Sequence, residues 1–155
     1  MLDNAAVLTR WVLGALFIYM GLNKALDPVG FLKLLRQYDL VQTPLLLNSI
    51  AAALPWFEVF CGVLLLTGVA ARGSALILLL MLVPFTFLVL KRALAIQAAT
   101  AIPFCAVKFD CGCGTGEVNI CRKLVENGLM MVLSAWLLTG RGRQLAARYS
   151  LVKSA

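Results

Sequence analysis

Four cysteines, Cys105, Cys111, Cys113 and Cys121, fall within residues 105–121. Cys111 and Cys113 flank Gly112, and Gly114 and Gly116 follow in the stretch "FDCGCGTGEVNIC". The thiolate is the reactive form of cysteine; Lys108 favours it and Asp110 opposes it. A bridge across C-G-C closes a small, strained ring, and strained disulfides are readily reduced, which suits exchange. Four cysteines allow three pairings, and the spacing does not choose among them. Three chemistries compete at this point: thiol–disulfide exchange with a partner protein or a membrane redox carrier, thiolate binding of a soft metal such as Cu(I) or Zn, and a structural disulfide pair. The paired C-x-x-C knuckles of a zinc ribbon are missing. The glycines leave Cys111 and Cys113 the least shielded sulfurs, so one of them is expected at the surface. Cys61 stands apart in an apolar run and reads as a packing residue.

A second candidate is the carboxylate of Glu58 in "PWFEVFCGVLLLTG", with Cys61 and Gly62 one helical turn on. A charge in hydrocarbon costs several kcal/mol unless it is paired, protonated or hydrated. Lys24 and then Arg10 are the candidate partners, with Glu126 and Asn127 as further polar residues at membrane depth. Together they make either an ion pair that fixes helix register or a polar pocket for a small ligand, a quinone headgroup or a proton path. The chain has no histidine, so redox or metal chemistry must rest on cysteine, methionine, carboxylates or a bound cofactor.

The elements that position these residues follow from composition. Of 155 residues, 62% are hydrophobic and 14% charged, and the mean hydropathy is +0.93. Soluble domains are about 45–50% apolar and about 25% charged. The chain therefore reads as one integral membrane domain, residues 1–155, in contact with the lipid bilayer. The net charge of +7 does not signal nucleic acid, because Arg72, Lys91, Arg92, Arg141 and Arg143 sit at the ends of apolar runs, as interfacial anchors do. The N-terminal run lacks a basic stretch before it and a cleavage site after it, and reads as a retained helix.

About 20 apolar residues cross a bilayer. Spans are expected over residues 5–25, with Asn4 as N-cap, over 44–71, 74–92 and 120–139, with kinks at Pro55 and Pro84 and a tight turn at Arg72 and Gly73. Gly14 and Gly21 permit close helix packing. Asp27 and Pro28 open a short amphipathic helix over 28–40, whose Phe31, Leu34, Leu35 and Tyr38 share one face; it lies in the interface or packs on the bundle. The run 93–107 is short for a span and reads as a helix extension, a re-entrant piece or an interfacial cover. Residues 140–155 form a basic tail. The fold class is thus all-α: a four-transmembrane-helix bundle with an interfacial helix and a Cys/Gly-rich loop between spans 3 and 4. Basic residues nearly balance across the two sides, so charge bias leaves orientation open. Exchangeable cysteines persist in oxidising compartments, which puts the thiol loop in the periplasm and both termini in the cytoplasm of a bacterial inner-membrane protein.

Three stretches together resemble the DoxX/MauE-like family of small membrane proteins: "RWVLGALFIYMGLNK" with Arg10, Gly21 and Lys24, "EVFCGVLLLTGVAARGSA" with Glu58, Gly62, Gly68 and Arg72, and "KFDCGCGTG" before the last span. Cys105 and Cys121 lie outside the short C-G-C motif. The resemblance implies a redox-associated four-helix bundle. MauE-type members are associated with maturation of disulfide-containing periplasmic enzymes, and DoxD-type relatives with thiosulfate oxidation using quinone. The expected role is handling of dithiol/disulfide equivalents through Cys111, Cys113, Cys105 and Cys121, with a periplasmic or membrane protein partner and quinone as a candidate cofactor. The alternatives are an accessory subunit of a membrane complex braced by disulfides, and a copper-binding or transfer protein.

Overall fold

The computed structural model describes residues 2–38, 43–111 and 116–139. The elements run α1 (Leu2–Leu26), α2 (Pro28–Gln37), α3 (Pro44–Thr67), α4 (Ala71–Thr100), a 3-10 turn (Phe104–Ala106), β1 (Lys108–Asp110), β2 (Glu117–Asn119) and α5 (Ile120–Leu138). The basic tail and Cys113 lie outside the described residues, as do the last positions of the interfacial helix expected to reach residue 40.

Helices α1, α3 and α4 are long and apolar enough to cross a membrane. Helix α1 already includes Asn4, so the cap expected there is not used. The turn after α3 lies upstream of Arg72 and Gly73: Gly68 takes the left-handed conformation at φ 75° and closes α3, its N–H donating to the Leu65 carbonyl. Only glycine enters that region without a Cβ penalty, whereas Arg72 and Gly73 are already helical in α4. Both α3 and α4 run through Pro55 and Pro84 as continuous helices. The extension reading of the run after Arg92 holds for its first part, since α4 continues to Thr100.

The close pair in the bundle is α1 with α3. A Cβ on Gly14 would sit 2.8 Å from the Gly62 carbonyl oxygen, and one on Gly21 would sit 2.7 Å from that of Pro55. Glycine at these positions lets two backbones touch, which is how membrane helices gain packing energy without a hydrophobic drive. Helix α5 packs mainly against α4. Its buried residues Lys123, Asn127, Met130, Ser134 and Leu137 form one stripe. On the outward face Val125, Leu129 and Val132 are exposed.

The thiol loop is not all coil, as an all-α reading requires. Strands β1 and β2 pair antiparallel with Phe109 opposite Val118. The Ile120 N–H donates to the Val107 carbonyl at 3.1 Å, extending the ladder to the start of α5. Cys105 and Cys121 are disulfide-bonded across the base of this hairpin, with Cα atoms 5.1 Å apart.

Candidate functional site

Helix α2 is placed by its cap and by its apolar face. The Gly30 N–H donates to Asp27 Oδ1 at 2.9 Å and Pro28 occupies the first turn, so the chain leaves α1 and turns directly into α2. Phe31, Leu34, Leu35 and Tyr38, the stripe visible in the sequence, face a cavity of about 300 Å³ lined by residues of all five helices. From α4, Arg92 holds the end of α2 by donating to the Gln37 carbonyl at 2.8 Å and to Gln37 Oε1 at 3.2 Å. The Tyr38 hydroxyl donates to the Cys111 carbonyl at 2.9 Å and so ties α2 to the thiol loop. Burial pushes the Tyr38 phenol up to about 12; Arg92 opposes the rise and Asp110 adds to it.

The polar end of the cavity is built from three helices. Lys24, in the last turn of α1, donates from Nζ to both Glu58 oxygens of α3, at 2.6 and 2.7 Å. Both side chains are more than nine-tenths buried. The same ammonium lies 5.6 Å from the Phe31 ring centroid and 5.9 Å from that of Phe85, within cation–π range. Lys123 and Asn127 enter from α5. Lys123 Nζ lies 3.7 Å from Glu126 Oε2. Asn127 donates from Nδ2 to Thr86 Oγ1 at 3.1 Å, while its buried Oδ1 has no hydrogen-bond partner among the described residues. The remaining walls are apolar, including Phe17, Leu54 and Met130.

Cys111 lines the same cavity and is fully buried. It is disulfide-bonded, and its partner lies outside the described residues. Cys111 is thus the shielded sulfur; the expectation that one sulfur of the pair is exposed then falls on Cys113, which lies outside the described residues. Cys105, in the second bridge, is exposed. Cys61 is buried and free, and it is not among the residues that line the cavity. Arg10 is buried on α1 but fourteen positions before Lys24, about 21 Å along the helix; it does not join the Lys24–Glu58 end. Among the described residues no group of three or more His, Cys, Asp or Glu side chains is placed to hold a metal ion.

Tyr38, Lys123 and Asn127 thus enter the site by position. Their signal was in the sequence as spacing: Tyr38 closes the i, i+3, i+4, i+7 stripe of α2, and Lys123, Asn127 and Met130 repeat at i, i+4 and i+7 along α5.

The arrangement can hold a disulfide against a cavity that carries two cations, one paired carboxylate and an open amide acceptor. No curated protein and no solved structure matches the chain. A family model described as methylamine utilisation protein MauE matches residues 2–140, which takes in the spanning helices, the buried ion pair and the thiol loop: the chain belongs to the MauE family of multi-pass membrane proteins.

Proposed function

We propose that this protein carries dithiol/disulfide equivalents at the membrane through its C-G-C loop, with Cys111 and Cys113 as the working pair. That Cys61 is free and Cys105 is bonded to Cys121 supports taking Cys113 as the partner of Cys111 in this reading. The observation that carries the reading is the burial of disulfide-bonded Cys111 in a cavity lined by Lys24 and Lys123. A partner's thiolate attacks the Cys113 sulfur, forming a mixed disulfide and releasing Cys111 as thiolate. A cation that approaches a thiolate lowers its pKa, and such a thiol leaves faster; Lys24 and Lys123 line the same cavity as Cys111. The partner's second thiol then resolves the mixed disulfide. The partner leaves oxidised, and this chain keeps two electrons and two protons as a dithiol.

Helix α5 serves as the fourth span in this reading. Its nineteen residues reach about 28 Å, its outward face is Val125, Leu129 and Val132, and its polar stripe faces inward. Four crossings put the termini together in the cytoplasm and the hairpin in the periplasm of a bacterial inner membrane, where a protein whose disulfides are being matured is the fitting partner.

The test is a glutathione redox titration of the purified chain, with each bridge mapped by mass spectrometry. The Cys111 bridge is expected to titrate well above the roughly −300 mV of structural disulfides, and Cys111→Ser or Cys113→Ser to abolish oxidation of a reduced dithiol peptide without lowering the melting temperature. Resistance of both bridges to glutathione would leave the second reading, an accessory subunit braced by disulfides. The Cys105–Cys121 bond across the hairpin base favours that reading for this one bridge.

A further inference from the structure

We propose that the cavity lined by the five helices binds an anionic amphiphile, which enters sideways from the bilayer along α4 and whose head carries both an oxyanion and a hydroxyl. The site rests on Lys123, Asn127 and the lipid-facing part of α4, and it stands whether or not the cysteine loop exchanges disulfides.

The cavity reaches the outer surface of the bundle. Leu80 lines it and is 64% exposed, and Pro84, one turn further along α4, also lines it and is exposed. Both belong to a helix long and apolar enough to span a membrane, so this opening faces hydrocarbon. A water-soluble ligand would have to cross that layer, whereas an amphiphile already resides there with its tail in it. A volume of about 300 Å³ is the lower end of small-molecule sites and suits a head whose chain stays in the bilayer.

The inner end selects the head. Lys123, 3% exposed, and Asn127, 1% exposed, stand one turn apart on α5, and both line the cavity. The Lys123 ammonium lies 3.7 Å from Glu126 Oε2, beyond hydrogen-bond reach. Glu126 is itself 41% exposed and accepts from Arg122 Nε at 2.8 Å. A buried cation without a bonded anion is costly, and an oxyanion in the cavity relieves that cost. The other ammonium, Lys24, is already bonded to both oxygens of Glu58. Lys24, Lys123 and Glu58 together give the cavity wall one net positive charge. That charge favours a singly anionic head and disfavours one that brings a quaternary ammonium with its phosphate. Asn127 Oδ1 has no partner among the described residues, and a buried acceptor without a donor costs free energy. A hydroxyl beside the oxyanion supplies that donor, which an ionised fatty acid lacks. Two sources carry this chemistry: a hydroxy fatty acid, and a phosphoglycerol lipid with free glycerol hydroxyls.

The test uses the full chain in phosphatidylcholine nanodiscs with a lysophosphatidylglycerol whose acyl chain carries a diazirine, adducts mapped by mass spectrometry. Saturable labelling around Leu80 and Pro84 is expected. Excess unlabelled lysophosphatidylglycerol or β-hydroxydecanoate should suppress it and lysophosphatidylcholine should not; whichever of the two competes at the lower concentration names the source. Decanoate, which lacks the hydroxyl, should compete about threefold to tenfold less well than β-hydroxydecanoate, and Asn127→Leu should erase that difference. Lys123→Gln should weaken both anionic competitors about tenfold or more, while Lys123→Arg retains them. Leu80→Trp should block the mouth, at an exposed position where folding is least at risk, and melting temperatures are measured beside every variant. Labelling spread over all lipid-facing helices, equal competition by lysophosphatidylcholine, or labelling unmoved by Lys123→Gln and Leu80→Trp would overturn the site. Decanoate competing as well as its hydroxy acid would overturn the part assigned to Asn127.

Discussion

Replacing Glu58 by leucine leaves the Lys24 ammonium without its carboxylate in a place that is 7% exposed. The two contacts of 2.6 and 2.7 Å correspond to an attraction of about 6 kcal/mol at an effective dielectric of about 20. Desolvation of both ions offsets most of this, so the pair adds little net stability over a well-packed apolar pair. Removing one partner is different, because the orphan charge keeps its desolvation penalty and loses its compensation, a cost of about 3–5 kcal/mol. The adjoining cavity can admit water to Lys24, which places Glu58→Leu near the lower end of that range. At roughly 2–4 °C per kcal/mol for a chain of this size, the melting temperature should fall by about 6–12 °C. Glu58→Gln keeps an acceptor and should cost less. The decisive comparison is Lys24→Leu with Glu58→Leu in one chain, which should be more stable than either single variant. Thermal melts of detergent-solubilised protein, followed by intrinsic fluorescence, read all four. Single changes within about 0.5 kcal/mol of the parent, or a double variant as unstable as the sum of the two, would refute the reasoning.

Three further outcomes follow from the geometry. Gly62→Val should destabilise the bundle by about 1–3 kcal/mol or more through overpacking, since its Cβ would stand 2.8 Å from the Gly14 carbonyl oxygen, whereas Gly73→Ala, which meets nothing within 4 Å, should leave the melt unchanged. Cys105→Ser opens a loop with a sequence separation of 16 and should cost about 3 kcal/mol, read as a lower melting temperature that matches the effect of selective reduction. Tyr38 has its phenol raised to about 12 by burial, so the stability it contributes is fully present below the ordinary tyrosine value near 10 and is lost as pH rises from there through about 12. A tyrosinate absorbance titration should show this late component, and Tyr38→Phe should remove it along with the hydrogen bond to Cys111, worth about 0.5–1.5 kcal/mol.

Much of this molecule was legible in local pattern. Long apolar runs give the spanning helices because a backbone in lipid must satisfy its own hydrogen bonds. Asp27-Pro28 marks the start of α2, the spacing of Phe31, Leu34, Leu35 and Tyr38 marks its buried face, and Glu58 needs a basic partner for electrostatic reasons alone. Sequence could not choose the disulfide pairing, because Cys105 and Cys121 meet only once β1 and β2 align. Nor could it tell that Cys111 is buried, since glycine-rich neighbours suggest exposure until Tyr38, 73 residues earlier, bonds to its carbonyl. Arg10 and Lys24 are both basic residues on α1, and only the depth at which α3 crosses decides that Lys24 meets Glu58. The cavity belongs to no single segment: residues of all five helices line it, and it gathers Asn127, Lys123 and Cys111 around one volume. Residue type set which elements form and which charges must be paired; the packing of distant helices decided which sulfur faces a cavity, because that depends on separations no local pattern encodes.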